Sequence, residues 1–396
     1  MVAIGANLGG NLDTIKEQNL SVTLRLIQRT KGLSRIDLSR LTGLRQATIT
    51  KILTKLIEYD LIEETHTEKP PRGRPPVSLE LKGTYYTVGI QVTRGYIAGC
   101  SCNIAGKAGK IFEDTYSGDE ELAEKAVSVA KKVLASTDAE RVLGIGVAYP
   151  RNYGGEKNSG EIAASALESL GYPVFTEHDA VCAALNEYLF VNSEKPSNLC
   201  CVATYKGIGA AFLNDGEPYR GGSLRAGEIG HMIVEPNGIP CRCGARGCLE
   251  NYCSTSALER VYEQQSGKRL GASEILELVN NGDGEAMRAF SYVCDYLAIG
   301  LVNIVRTLDP DEIVIPDRLA IAAKALESGL DRRMFAVLPR NAVKLTVRKY
   351  DKTATMRGAN AVVFGHALNA PCTFFEKYVK QAIEKGTKHY ENSNVT

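Results

Sequence analysis

The sequence predicts an α/β protein in two parts. A winged helix-turn-helix occupies residues 1–82, and a two-lobed α/β body occupies 83–396, with lobes over 83–195 and 196–396. Three observations predict this. Three short helical patterns with a basic, polar leading edge stand at the front. Two sets of short β-runs follow, each opening strand–turn–strand–turn and continuing into alternating helices. The chain of 396 residues, 44% apolar and 23% charged, has ordinary globular composition with room for two or three domains, which excludes a disordered or fibrous protein.

The net charge of +1 hides an asymmetry: residues 1–82 carry 13 Lys/Arg against 9 Asp/Glu, and the remainder 34 against 37. Within 29–55, seven bases stand against one acid, Asp37. A basic front on a near-neutral body suggests a nucleic-acid module joined to something else. Leu20, Leu24 and Ile27 recur at helical spacing in the first helix. Ser34 can N-cap a second with the apolar face Ile36, Leu38 and Leu41, and Gly43 ends it. The third, from Arg45 to about Tyr59, turns Ile49, Ile52, Leu53, Leu56 and Ile57 inward. Helix, glycine turn and helix at this length is the helix-turn-helix pattern. Its third helix would enter the major groove with Arg45, Gln46, Thr48, Thr50 and Lys51 near the leading end. DLIEETHT and VSLEL then pair around KPPRGRPP, a wing whose prolines hold the tip extended. Arg72-Gly73-Arg74-Pro75 resembles the AT-hook core, whose arginines lie in an A/T-rich minor groove; a solvated linker is the alternative, and the two are compatible.

From Tyr85, YYTVGIQV, YIAGCSCNI and KIFEDTY read as strands, followed by a helix over 119–136, the strand LGIGVAY and the irregular stretch RNYGGEKNSG. LCCVATY, GAAFLND and EPYRGG open the second set. A strong amphipathic helix over 285–308 (Phe290, Val293, Leu297, Leu301, Ile304, Leu308) precedes the buried strand DEIVI. Helices over 354–369 and 373–385 close the chain before a frayed ENSNVT tail. The opening residues lack the basic-then-apolar order of an export signal, and no apolar run approaches the ~18–20 residues of a membrane span. Eleven cysteines in such a chain are expected to be reduced thiols of a cytoplasmic protein.

The sharpest motif is His231-x9-Cys241-x-Cys243-x4-Cys248. Three thiolates and an imidazole supply the four ligands of a tetrahedral structural zinc site, and Gly238, Gly244 and Gly247 let the backbone fold around one ion. Cys253 is a rival ligand, but its place after Asn251-Tyr252 favours helix packing. Carboxylates flank the loop: Glu228 three residues before His231, and Glu250 two after Cys248. Asp179 in FTEHDAVCAAL sits where a strand end turns into a helix. Each alone is ordinary surface chemistry; converging with an imidazole, they suit a polyol or sugar.

GEIGHMIVEPNGIPCRCGARGCLENYCS (227–254) resembles the signature of the ROK family of bacterial sugar-responsive repressors and sugar kinases. The likeness spans nearly the whole chain, and an N-terminal winged helix is a feature of the repressor branch. It implies the actin/hexokinase-like, ribonuclease-H-like two-lobed fold. Carried over by residue, it implies zinc ligands at His231, Cys241, Cys243 and Cys248, and sugar contacts at His178, Asp179, Glu228, His231 and Glu250. In the kinases, the acid matching Asp179 is the base that activates the sugar hydroxyl. The departures concern the nucleotide. Gln91 replaces the Asp of the kinases' Asp-x-Gly-Gly-Thr, and Thr93-Arg94-Gly95 replaces the phosphate turn. Tyr205-Lys206-Gly207 stands for Gly-Thr-Gly, Pro316-Asp317 for a late glycine pair, and His178 for Asn. Without those glycines the backbone cannot approach phosphates closely, and without the acid a Mg²⁺ ligand is missing. The resemblance thus implies a repressor rather than an enzyme, a homodimer or homotetramer that binds operator DNA and a sugar or sugar derivative, without membrane insertion. A ROK regulator governed by a protein partner, and a sugar kinase with an accessory DNA-binding head, are the alternatives.

Overall fold

The computed structural model describes residues 12–30, 32–66, 77–138, 141–151, 158–204, 207–316, 318–369 and 371–374. The Arg72–Arg74 arm, Tyr205-Lys206, Asp317, the ENSNVT tail and most of the expected 373–385 helix lie outside these residues. The chain divides into two compact units, one of residues 1–147, 159–176 and 359–396, the other of 148–158 and 177–358.

The first unit opens with α1 (Leu12–Arg29), which buries Leu20, Leu24 and Ile27. α2 (Arg35–Thr42) begins at Ser34, whose hydroxyl accepts the Asp37 N–H while the Asp37 carboxylate accepts the Ser34 N–H. This reciprocal cap satisfies donors that the first turn leaves without helical partners. Gly43 ends the helix at φ 72°, as expected. α3 (Gln46–Glu58) buries Ile49, Ile52, Leu53 and Leu56. Three expected core residues are not core: Ile36 and Leu41 are 58% and 57% exposed, and Ile57 is exposed too. α2 has only eight residues and packs on α1 and α3 along a narrow line, so Leu38 alone is covered. β1 (Ile62–His66) and β2 (Val77–Leu81) form the antiparallel wing, from Ile62 opposite Leu81 to His66 opposite Val77. The Leu79 N–H also reaches the Leu33 carbonyl at 3.0 Å, tying the wing to the start of α2.

β3 (Tyr86–Thr93), β4 (Tyr96–Asn103) and β5 (Phe112–Thr115) follow as an antiparallel meander, then α4 (Asp119–Ala135), β6 (Val142–Tyr149), α5 (Ser159–Leu167) and β7 (Val174–His178). Their sheet has the order β5-β4-β3-β6-β7. α4 lays Leu122, Ala126, Val129 and Val133, one helical face, against Val88, Ile90 and Ile145.

In the second unit come α6 (Asp179–Asn186), β8 (Asn198–Thr204), β9 (Ile208–Asn214) and β10 (Glu217–Pro218); the expected EPYRGG strand thus stops after two residues. α7 (Glu250–Cys253), α8 (Thr255–Ser266), α9 (Ala272–Asn280) and α10 (Gly284–Leu308) precede β11 (Glu312–Ile315), α11 (Ala323–Met334) and β12 (Lys344–Val347). The sheet order β10-β9-β8-β11-β12 repeats that of the first unit, a hairpin set followed by two further strands, so the duplication read from the sequence is present. α10 is long and apolar enough to cross a membrane, but 61% of its apolar window is buried, where Phe290, Val293, Leu297 and Leu301 join the core with α8, α9 and α11. Leu308, expected on that stripe, is exposed at the helix end. α12 (Ala354–Asn369) returns the chain to the first unit, and α13 (Pro371–Phe374) packs there on α1.

Candidate functional site

α3 carries the expected nucleic-acid face. Arg45 is its N-cap residue; Arg45, Gln46, Thr50 and Lys51 are exposed and Thr48 is half-buried. The Thr50 hydroxyl donates to the Gln46 carbonyl at 3.0 Å. An ion pair between Arg35 and Glu64 joins α2 to the wing.

The remaining expected residues gather in the second unit. His178 ends β7 and caps α6, whose first residue is Asp179. Arg151, at the end of the β6 segment, reaches three partners. Its Nε donates to His178 Nε2 at 3.3 Å, one Nη to Glu228 Oε1 at 3.0 Å, and the other to the Leu224 carbonyl at 2.7 Å. The Tyr149 ring lies 4.7 Å from that of His178. Behind them, buried Glu177 accepts the His178 N–H at 2.9 Å and pairs with Arg220 at 2.6 Å.

Burial, followed by the Arg151 cation, holds the His178 imidazole down to about 4. The ring is neutral at pH 7, and because Nε2 accepts from Arg151 its proton sits on Nδ1. Nδ1 is shielded from solvent and has no hydrogen-bond partner among the described residues. Burial pushes the Asp179 carboxyl up to about 6, against the lowering effects of the Ala180 N–H, 2.7 Å away, and of Arg151.

Glu228 leads into a tight turn over Ile229–His231, in which the His231 N–H returns to the Glu228 carbonyl at 3.0 Å. The loop after it is shaped by short bridges, Ile233 to Cys248 and Pro240 to Arg246. Gly247, at φ 73°, has no room for a side chain: a Cβ would lie 1.6 Å from the Glu235 carbonyl oxygen. The loop brings the ligand atoms of His231, Cys241, Cys243 and Cys248 within 4.8 Å of one another. Cys241 Sγ is 3.6 Å from His231 Nδ1, and Cys243 Sγ is 3.6 Å from Cys248 Sγ. A tetrahedral ion with metal–sulfur bonds of ~2.3 Å has edges of about 3.7 Å, so this donor set fits one metal ion. Cys253 is buried in α7 and is not among the four.

Glu250 stands beside these four residues. Its Oε1 lies 3.5 Å from Cys241 Sγ, 3.9 Å from His231 Nδ1 and 3.6 Å from Arg242 Nε. A Cβ on Gly230 would stand 3.3 Å from that of Glu250, so the turn bearing His231 packs directly on α7. The structure thus brings His178 and Glu228 together through Arg151, and His231 and Glu250 together beside the cysteines. Sequence reasoning missed Arg151, Arg220 and Glu177. The available signal was an arginine at the exit of the buried strand LGIGVAY.

A family model described as the ROK family matches residues 109–365. The xylose repressor of Bacillus subtilis (strain 168) is 27% identical over 380 residues, covering 90% of this chain and 97% of the repressor. A crystal structure of a ROK family transcriptional regulator, a homolog of the E. coli MLC protein, superimposes with a TM-score of 0.76 at 25% identity, covering 92% of this chain and 99% of that one. A ROK family glucokinase from Streptomyces griseus, solved with glucose and AMPPNP, shares the fold with a TM-score of 0.62 at 21% identity. It covers 70% of this chain and 98% of itself.

Proposed function

The chain belongs to the ROK family, and from that premise we propose that it is a sugar-responsive transcriptional regulator, a repressor of carbohydrate genes. Residues 1–82 bind operator DNA, and residues 83–396 bind the effector and hold the oligomer together. The observation that carries this reading is the presence, in one chain, of an exposed polar face on α3 and of a loop whose His231, Cys241, Cys243 and Cys248 could hold one ion, with Glu250 beside it. Arg45 and Gln46 read base edges, Thr48, Thr50 and Lys51 support them, and Arg72 and Arg74 enter the minor groove. One recognition helix contacts too few base pairs for useful specificity, so the protein acts as a homodimer on a palindromic site, or as a tetramer built from two.

Zinc is the metal that suits three thiolates and an imidazole in a site whose four positions are all filled by protein. Its part is structural: it fixes the direction of His231 and steadies Glu228 and Glu250. Those two acids, with His178 and Asp179, accept or exchange hydrogen bonds with sugar hydroxyls. Phosphoryl transfer is not part of this reading. Gln91 is buried where kinases carry an acid, and its neutral amide brings no negative charge to balance Mg²⁺ there. The protein works in the cytoplasm, where its DNA and thiols belong.

The test pairs two measurements on the purified, zinc-replete protein. Selection of genomic fragments should return palindromic sites beside carbohydrate genes, and calorimetric titration should find a sugar that changes affinity for them. Selective operator binding with no response to any carbohydrate would overturn the sugar-sensing half and leave a protein partner as the regulator. Binding without sequence preference would overturn the whole reading.

A further inference from the structure

The guanidinium of Arg151 has five N–H groups and spends three of them, on His178, Glu228 and the Leu224 carbonyl. One N–H on each terminal nitrogen therefore has no acceptor among the described residues, although the side chain keeps 24% exposure. His178 Nδ1 also carries a proton with no partner among the described residues, but it is shielded from solvent, so the donors a ligand can reach are those of Arg151. Arg151 thus keeps two donors unspent among the described residues, whereas Glu228 and Asp179 offer acceptors. Hydroxyls suit the acids. The donors call for a group that only accepts, and a charge-assisted bond to guanidinium is about twice as strong as a neutral one.

We propose that the ligand of this site is a sugar acid and that Arg151 is the residue that reads its carboxylate. The proposal rests on the reading of the pocket as a sugar site and names its ligand class. A carboxylate spans two N–H groups of a guanidinium fork, the geometry in which arginine outperforms lysine. Phosphate meets the same donors but brings up to two charges to a place where Glu228 already lies 3.0 Å from Arg151, Glu177 being balanced by Arg220. One added negative charge leaves Arg151 shared between two carboxylates; two would leave the site repulsive.

The experiment is calorimetric titration of the zinc-replete full chain with matched sets: glucose, glucuronate, gluconate and glucose 6-phosphate; galactose and galacturonate; xylose and xylonate. At least one acid should bind tenfold or more tightly than its neutral parent and than the phosphate ester. Arg151→Gln should erase that preference, and Arg151→Lys, which keeps the charge without the fork, should restore only part of it. Zinc content and circular dichroism establish that each variant is folded. A neutral parent or a phosphate ester that binds as tightly as the acid in every responding set overturns the proposal while sparing the sugar-sensing reading. So does an acid preference that survives in Arg151→Gln. Silence across the whole panel, with selective DNA binding intact, overturns both.

Discussion

His178 and Asp179 are chain neighbours that burial shifts in opposite senses, and their effects on stability oppose each other. The imidazole stands at about 4 in the folded protein against an ordinary 6.5, and the carboxyl at about 6 against 3.8. For His178, the unfolded chain gains a proton below pH 6.5 that the folded chain refuses down to pH 4, so stability falls as pH falls through that window. For Asp179, the folded chain takes a proton below pH 6 that the unfolded chain does not take until pH 3.8. An ionised buried carboxylate therefore costs stability above pH 6, and the cost is relieved on acidification. At about 1.4 kcal/mol for each pH unit, each contribution changes by roughly 1–2 kcal/mol between pH 7 and pH 5, with opposite sign. Urea unfolding followed by circular dichroism on wild type, Asp179→Asn and His178→Gln separates them, because subtraction removes the other titrating groups. Asp179→Asn should be more stable than wild type at pH 7 and give up about half of that advantage by pH 5. His178→Gln should match wild type at pH 7 and gain on it toward pH 5. Differences that stay constant across the window would refute the burial argument for both residues.

Gly247→Ala should lower the metal content of the purified protein to well below one ion per chain, because its Cβ would meet the Glu235 carbonyl at 1.6 Å; full occupancy by atomic absorption would show that the loop yields. Arg74→Ala should weaken operator binding most where the flanks are A/T-rich, and an equal loss on G/C-rich flanks would reduce the arm to an electrostatic tether. A coupled assay with ATP and sugars should register no phosphorylation, and turnover that disappears in Asp179→Asn would overturn the reading of Gln91.

What the sequence disclosed depended on how local its causes are. The ends of α2 are written in Ser34, Asp37 and Gly43, within ten residues, and the metal set in four residues whose chemistry admits few other uses. The repeated sheet order follows from strand lengths and turns that recur in both halves. Ile36 and Leu41 misled because periodicity assigns a helix face without saying how much of it the neighbouring helices cover. Arg151 was invisible for a different reason: its side-chain partners lie 27 and 77 residues away, and nothing near it in the chain announces them. The ion pairs Arg151–Glu228, Arg220–Glu177 and Arg242–Glu250 are likewise a product of tertiary folding.

A structural metal in a sensor has a consequence that can be measured away from the metal. The loop from His231 to Cys248 has two isolated strand bridges and a few turn hydrogen bonds, so an ion held by its four ligand residues would add a major constraint. Glu250 stands 3.5 Å from Cys241 Sγ and 3.9 Å from His231 Nδ1, and Glu228 is tied to His231 by the turn between them. Cys243→Ser removes one ligand, whose sulfur lies 3.6 Å from that of Cys248. The variant should lose its zinc and bind its sugar at least tenfold more weakly, about 1.4 kcal/mol, although the sugar does not touch residue 243. The measurement is calorimetric titration after circular dichroism has shown the rest of the chain to be folded, with operator binding as a control on the winged helix. A zinc-free variant with unchanged sugar affinity would show that loop and pocket are separate, and that Glu228, His231 and Glu250 do not belong to one site.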